Sequence, residues 1–104
     1  DCVMPTRNAR NGQLFTFDGK LNIRNSKYKT DFSPIDENDF SPMSKIYTKS
    51  YLHHLFKTNE ILGYRIATQH NLSFYNNLLI KAKDAIVNKN FHIWSKNFLK
   101  SYNE

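Results

Sequence analysis

Cysteine is almost missing from this chain: Cys2 stands alone among 104 residues. No internal disulfide can form, and an all-cysteine zinc site, which needs several thiolates at fixed spacing, is excluded. A reducing, cytoplasmic setting is expected. Long hydrophobic runs are missing as well. No stretch approaches the roughly 20 apolar residues that a membrane span requires, and no basic-then-apolar signal pattern opens the chain. A protein neither secreted nor membrane-spanning is expected. Arginine is scarce: of 15 basic residues only Arg7, Arg10, Arg24 and Arg65 are arginines, and the surplus of lysine and asparagine is what an AT-rich genome produces. The formal charge of +6 suits a phosphate-rich partner or an anionic surface, and suits plain solubility equally well. Weight therefore falls on the arginines. At 39% hydrophobic content the 104 residues can bury one modest core, not two. The chain opens at Asp1 with no initiator Met, and we expect a fragment.

What is present divides into three stretches. Residues 1–12 begin with an apolar run, Asp1 to Met4, that reads as the end of a buried strand stopped by Pro5, followed by a loop from Pro5 to Gly12. Residues 13–44 hold two short runs, Leu14 to Phe17 and Leu21 to Arg24, around Asp18-Gly19-Lys20. The Asp-Gly pair is a tight-turn signal and predicts a β-hairpin from Gln13 to Asn25. From Asn25 to Ser44 the chain is polar, carries Pro34 and Pro42 and lacks periodicity, so an irregular excursion is expected. Residues 45–104 are helical in pattern. After the Ser41-Pro42 start signal, Tyr47, Tyr51, Leu52, Leu55 and Phe56 predict a helix over Met43–Thr58. Ile61, Leu62, Ile66, Leu72, Tyr75, Leu78, Leu79, Ala82 and Ile86 predict a second long helix, or a pair broken near His70-Asn71. Phe91, Trp94, Phe98 and Tyr102 trace a last short one, with Trp94 and Phe98 as core.

The chemistry lies in the first dozen residues. A carboxylate, Asp1, at a strand end precedes a loop holding Thr6, Arg7, Asn8, Arg10 and Asn11. Arginine makes bidentate contacts with phosphate or a guanine edge, and Asn and Thr add neutral hydrogen bonds beside it; a carboxylate nearby could attack a sugar. Spacing alone favours a blander alternative, in which Asp1 partners a turn and the arginines sit on a solvated surface.

The run Asp1-Cys2-Val3-Met4-Pro5-Thr6-Arg7-Asn8-Ala9-Arg10-Asn11-Gly12 strongly resembles the signature of queuine/preQ1 tRNA-guanine transglycosylases of bacterial type. Phe15 to Gly19, Ile23 to Asn25, Tyr51 to Leu55, Asn59 to Gly63 and His70 to Tyr75 follow at that family's spacing. The resemblance implies an α/β fold: the C-terminal fragment of a (β/α)8 TIM barrel with a strand end, a β-hairpin insertion and about three helices. It implies that Asp1 is the nucleophile, standing where such barrels carry catalytic groups. It further implies a double displacement in which the carboxylate attacks C1′ of the wobble guanosine, expels guanine and holds the tRNA as a ribosyl ester, which a 7-deazaguanine (preQ1 or queuine) then releases in queuosine biosynthesis. Thr6, Arg7, Asn8, Ala9 and Arg10 match the loop that reads the tRNA anticodon; Lys45 and Lys49 stand where the family has basic residues along the tRNA backbone. The partners implied are the tRNA anticodon loop, the 7-deazaguanine in the full-length enzyme and a second copy of the chain, the homodimer forming near Tyr47, Tyr51 and His54. No membrane partner is expected.

The resemblance breaks at the metal. The family binds zinc through Cys-x-Cys-x-x-Cys and a later histidine; here Asp39, Ser41 and Ser44 stand at the cysteine positions and only His70 matches. Hydroxyls are poor zinc ligands, so no structural zinc and no other cofactor is expected, His70 being an ordinary hydrogen-bonding residue and Phe32, Phe40 and Met43 packing the excursion down. The adjacent pair His53-His54 points about 100° apart on a helix and cannot readily share one ligand. The isolated piece is expected to be inactive. A non-catalytic tRNA-binding or dimerisation module of the same family is the alternative reading.

Overall fold

The computed structural model describes residues 3–17, 19–36 and 45–103. Their order is helix α1 (Val3–Arg10), strands β1 (Gln13–Thr16) and β2 (Gly19–Asn22), a 3-10 turn (Ser26–Tyr28), then helices α2 (Lys49–Lys57), α3 (Ile61–Val87) and α4 (Phe91–Asn103). Helices and one small antiparallel sheet thus make up the described chain; Lys45 and Ile46 are also helical, ahead of α2. No helix of the described residues is long and apolar enough to cross a membrane.

The first element differs from the sequence expectation. Residues 3–10, expected as a strand tail and a loop, are helical. Pro5 does not stop this helix because it lies in the first turn, where backbone N–H groups have no intrahelical partner and a missing one costs nothing. The helix ends where Gly12 adopts φ +83° and its N–H reaches the Ala9 carbonyl at 3.0 Å, the left-handed terminus that glycine allows. The strand end expected at Asp1 lies outside the described residues.

The hairpin forms, with its pairing one step tighter than the Asp-Gly-Lys turn suggests: Thr16 pairs with Gly19 and Gln13 with Asn22. Gly19, at φ +123°, is the first residue of β2. Leu14, Phe15 and Thr16 are all buried, because β1 lies between α1 and α3. Leu14 joins a core with Ala9, Ile23, Tyr28, Ile35, Leu52, Phe56 and Ile66. Phe15 and Phe17 turn to a separate aromatic stack, where Phe17 lies 4.7 Å from Phe74 and 6.2 Å from Phe98, and Phe98 stacks on Trp94 at 5.7 Å. Trp94 and Phe98 are therefore half-buried on the flank, not in the core.

The described part of the polar excursion is tied to the start of α2. Ser50 donates its N–H to the Asp31 carbonyl at 2.8 Å, Lys49 to that of Ser33 at 3.0 Å, and Ile35 to that of Tyr47 at 3.3 Å. The Ser33 hydroxyl and N–H both bind the Asp31 carboxylate, and with Lys49 at 4.0 Å they hold its pKa below the usual carboxylate value. Ile35 is 1% exposed. Phe32, expected to pack this segment, is instead 73% exposed; Phe40 and Met43 lie outside the described residues. Helix α2 starts at Lys49, not Met43, since the Thr48 side chain accepts from the Tyr51 N–H at 3.1 Å and caps it there.

Helix α3 runs unbroken through His70-Asn71. With only 3 glycines in the chain, Asn59 (φ 56°) and Lys89 (φ 60°) take the left-handed positions that end α2 and α3. Both ends close as Schellman motifs, Glu60 N–H to Leu55 C=O and Asn90 N–H to Ala85 C=O, each 2.9 Å.

Candidate functional site

Helix α1 carries the residues that the sequence singled out, and its geometry sorts them. Ala9 is fully buried in the core, so its side chain seats the helix. Thr6 and Asn8 are half-buried. Arg7 and Arg10, three apart, share the outward face and are exposed. They line, with Thr6 and Asn11, a cleft of about 330 Å³. Arg10 also borders a second cleft of about 540 Å³, whose far wall is Arg65, Thr68 and Gln69 of α3. The fourth arginine is otherwise engaged: Arg24 lies over the Phe56 ring at 5.2 Å.

Asp1, the expected nucleophile, lies outside the described residues, as do Asp39, Ser41 and Ser44. Of the two lysines at family backbone-contact positions, Lys45 is exposed while Lys49 reaches Asp31 at 4.0 Å. His70 is fully buried in mid-helix. Its Nε2 lies 2.7 Å from the Phe15 carbonyl oxygen; a carbonyl only accepts, so Nε2 carries the proton. Asn71, next to it, accepts from the Phe15 N–H at 3.1 Å and donates to the Gln13 carbonyl at 3.0 Å. The two polar residues that suggested a helix break are thus the bonds that lock β1 to α3. Among the described residues no group of three His, Cys, Asp or Glu side chains could hold a metal.

A third cleft, about 450 Å³, lies along α2 between Lys29, Tyr51, His54 and Lys57. Tyr47 and Tyr51 stack at 5.6 Å on its rim. The adjacent histidines diverge as helix geometry requires: His54 is exposed, while His53 is 3% exposed and donates Nδ1–H to the Ile23 carbonyl at 2.7 Å, which anchors the hairpin's exit.

Sequence reasoning missed Arg65, Thr68 and Gln69. The signal was there, since 65, 68, 69 and 72 share one face by the i, i+3, i+4, i+7 rule, beside the buried Ile66, Ala67 and His70. Only the fold sets that face against Arg10.

Comparison with known proteins bears on the family of the chain. The family model described as queuine tRNA-ribosyltransferase matches residues 1–104. The queuine tRNA-ribosyltransferase of Francisella tularensis subsp. tularensis (strain WY96-3418) is 56% identical over 102 residues, covering 98% of this chain and 28% of that protein. That of Helicobacter pylori (strain HPAG1) is 52% identical over 103 residues, covering 99% of this chain and 28% of that protein. The chain spans a little over a quarter of the length of the relatives it matches.

Proposed function

The chain belongs to the queuine tRNA-ribosyltransferase family, and on that premise we propose that it forms the C-terminal part of a tRNA-guanine transglycosylase, a (β/α)8 barrel enzyme acting on the anticodon loop of tRNA. The observation that carries the proposal is the Asp1–Gly12 signature, whose helix α1 turns Arg7 and Arg10 outward over an open cleft. Arg7 and Arg10 grip phosphates or base edges beside the wobble nucleotide, with Thr6 and Asn8 supporting them. That nucleotide is flipped toward Asp1. The Asp1 carboxylate attacks C1′, guanine leaves with the bonding pair and takes a proton from a group elsewhere in the protein, and the tRNA stays as an aspartyl ester. A 7-deazaguanine nitrogen then displaces the carboxylate, giving up its proton to the group that protonated guanine, and completes the exchange in queuosine biosynthesis. A carboxylate nucleophile replaces one difficult substitution by two easier ones. The test is guanine exchange by the full-length protein. We expect Asp1→Asn to abolish both exchange and the covalent RNA adduct seen on a denaturing gel; normal exchange by that variant would falsify the assignment.

We further infer that the family's zinc is not held here. One imidazole, one carboxylate and two hydroxyls are a poor donor set for structural Zn²⁺, and the bonds from Asp31, Ser33 and Ile35 to the start of α2 already brace the described part of the segment. Purified full-length protein is expected to hold far less than one zinc per chain by elemental analysis; stoichiometric zinc would overturn this. Tyr51, 41% exposed and stacked on the half-buried Tyr47, and the cleft beside His54 favour a homodimer through α2. Tyr51→Glu is expected to convert a dimer to a monomer in sedimentation, and a monomeric wild type would remove the assignment. The non-catalytic module remains the reading to adopt if full-length protein binds tRNA or dimerises without exchanging guanine.

A further inference from the structure

Three of the chain's four arginines border two clefts that share Arg10 as a common wall. We propose that the face of α3 carrying Arg65, Thr68 and Gln69 is a second RNA-contact surface, continuing the track of Arg7 and Arg10 along the phosphates of the same single strand. The inference rests on the reading of α1 as a tRNA contact and extends it to a surface that the Asp1–Gly12 signature does not include.

The first support is electrostatic. Among the described residues no hydrogen bond or ion pair engages the guanidinium of Arg7, Arg10 or Arg65, and neither cleft has an acidic residue in its lining. Three such cations in line repel one another and attract polyanions, and a phosphate chain with one charge per nucleotide matches them. By contrast Arg24 and Lys81 sit over the Phe56 and Phe17 rings and Lys49 faces Asp31, so those three cations, unlike Arg7, Arg10 and Arg65, are already engaged. The second support is chemical. Thr68 and Gln69 supply neutral donors beside Arg65, the same pairing that Thr6 and Asn11 supply beside Arg7 and Arg10. The third is mechanical. This face is presented by the rigid first half of α3, pinned to the hairpin by His70 and Asn71 and to α2 by the close contact at Gly63. Its position relative to Arg10 is fixed before RNA arrives, which lowers the ordering cost of binding.

The experiment is equilibrium binding of an anticodon stem-loop RNA to the full-length protein at a series of salt concentrations, for wild type, Arg65→Gln, Arg65→Lys, Gln69→Glu and Arg10→Gln. Removing one phosphate contact on single-stranded RNA is expected to lower the slope of log K against log salt by about 0.7 and to weaken binding roughly 3- to 10-fold at moderate salt. Arg65→Gln should show both effects, Arg65→Lys should keep the slope, and Gln69→Glu should weaken binding with the Arg65 charge intact. Arg65→Gln and Gln69→Glu that bind like wild type, while Arg10→Gln weakens, would overturn this inference and leave the proposed function standing. No RNA binding by the wild type would remove the proposed function itself.

Discussion

Asn71 makes two hydrogen bonds to one strand, accepting from Phe15 and donating to Gln13 across 56 and 58 residues of sequence. A side chain with one acceptor and two donors suits an outer edge of β1, where alternate N–H and C=O groups point away from β2 and, being buried under α3, have no water to bind. His70 satisfies the neighbouring Phe15 carbonyl. Removal of such a partner leaves buried backbone groups unsatisfied, at about 1–3 kcal/mol each. Asn71→Ala is therefore expected to destabilise the protein by about 2 kcal/mol or more in urea unfolding, whereas Asn76→Ala, on the exposed side of the same helix, should change little. Equal small effects would mean that the hairpin is held by packing alone. The same residues explain why a polar pair in a helical pattern misleads: Asn is a poor helix former and His an average one, and whether they interrupt a helix depends on whether a strand lies within reach.

At the scale of elements, the crossing of α2 and α3 depends on Gly63. A Cβ there would stand 2.9 Å from the Leu55 Cβ and 3.4 Å from its backbone carbon. On an isolated helix, Gly→Ala stabilises by about 1 kcal/mol. Here the contact involves atoms next to the backbone, which cannot rotate away, so α2 must shift from Phe56 and the core; overpacking of this kind costs about 1–3 kcal/mol. Gly63→Ala is expected to lower Tm, and a raised Tm would show that the two helices slide freely. The crossing illustrates what the sequence makes legible. Periodicity marked α3 and α4, and Asp18-Gly19 marked the hairpin, because these signals are local. The α1 helix was hidden because Pro5 reads as a stop unless its place in the first turn is known, and the start of α2 was misplaced because periodicity alone does not show that Thr48 caps it through the bond from the Tyr51 N–H. The site was half legible: Arg7 and Arg10 stand in a continuous motif, while Arg65 joins them only through the packing of α1 on α3.

For the whole molecule, α3 is the informative element. Its 27 residues extend about 40 Å at 1.5 Å per residue, most of the 46 Å long axis of the chain. One side is covered by α1, β1 and α2. The C-terminal half of α3 carries Leu79 at 68%, Ile86 at 60% and Val87 at 74% exposure, and α4 adds Ile93 at 64% and Leu99 at 53%. Such a cluster of exposed apolar side chains, beyond the stretch that carries Arg65, Thr68 and Gln69, is the mark of a surface covered by another part of a protein. In a (β/α)8 barrel the last helix packs against the sheet wall, and the relatives, of which this chain spans 28%, have the length to supply that wall. The barrel reading then makes a differential prediction. Leu79→Asp places a charge on a side chain that is 68% exposed in the 104-residue chain, so its effect there should stay within about 0.5 kcal/mol, as for most surface substitutions. In the full-length protein the same change loses the burial of a leucine, worth about 1.5–3 kcal/mol, and buries an unpaired carboxylate besides. Urea unfolding of both lengths, each with and without the substitution, measures the difference. A large penalty confined to the full-length protein places the barrel wall on this side of α3, and equal small penalties in both would put the wall elsewhere and remove the packing argument for the barrel.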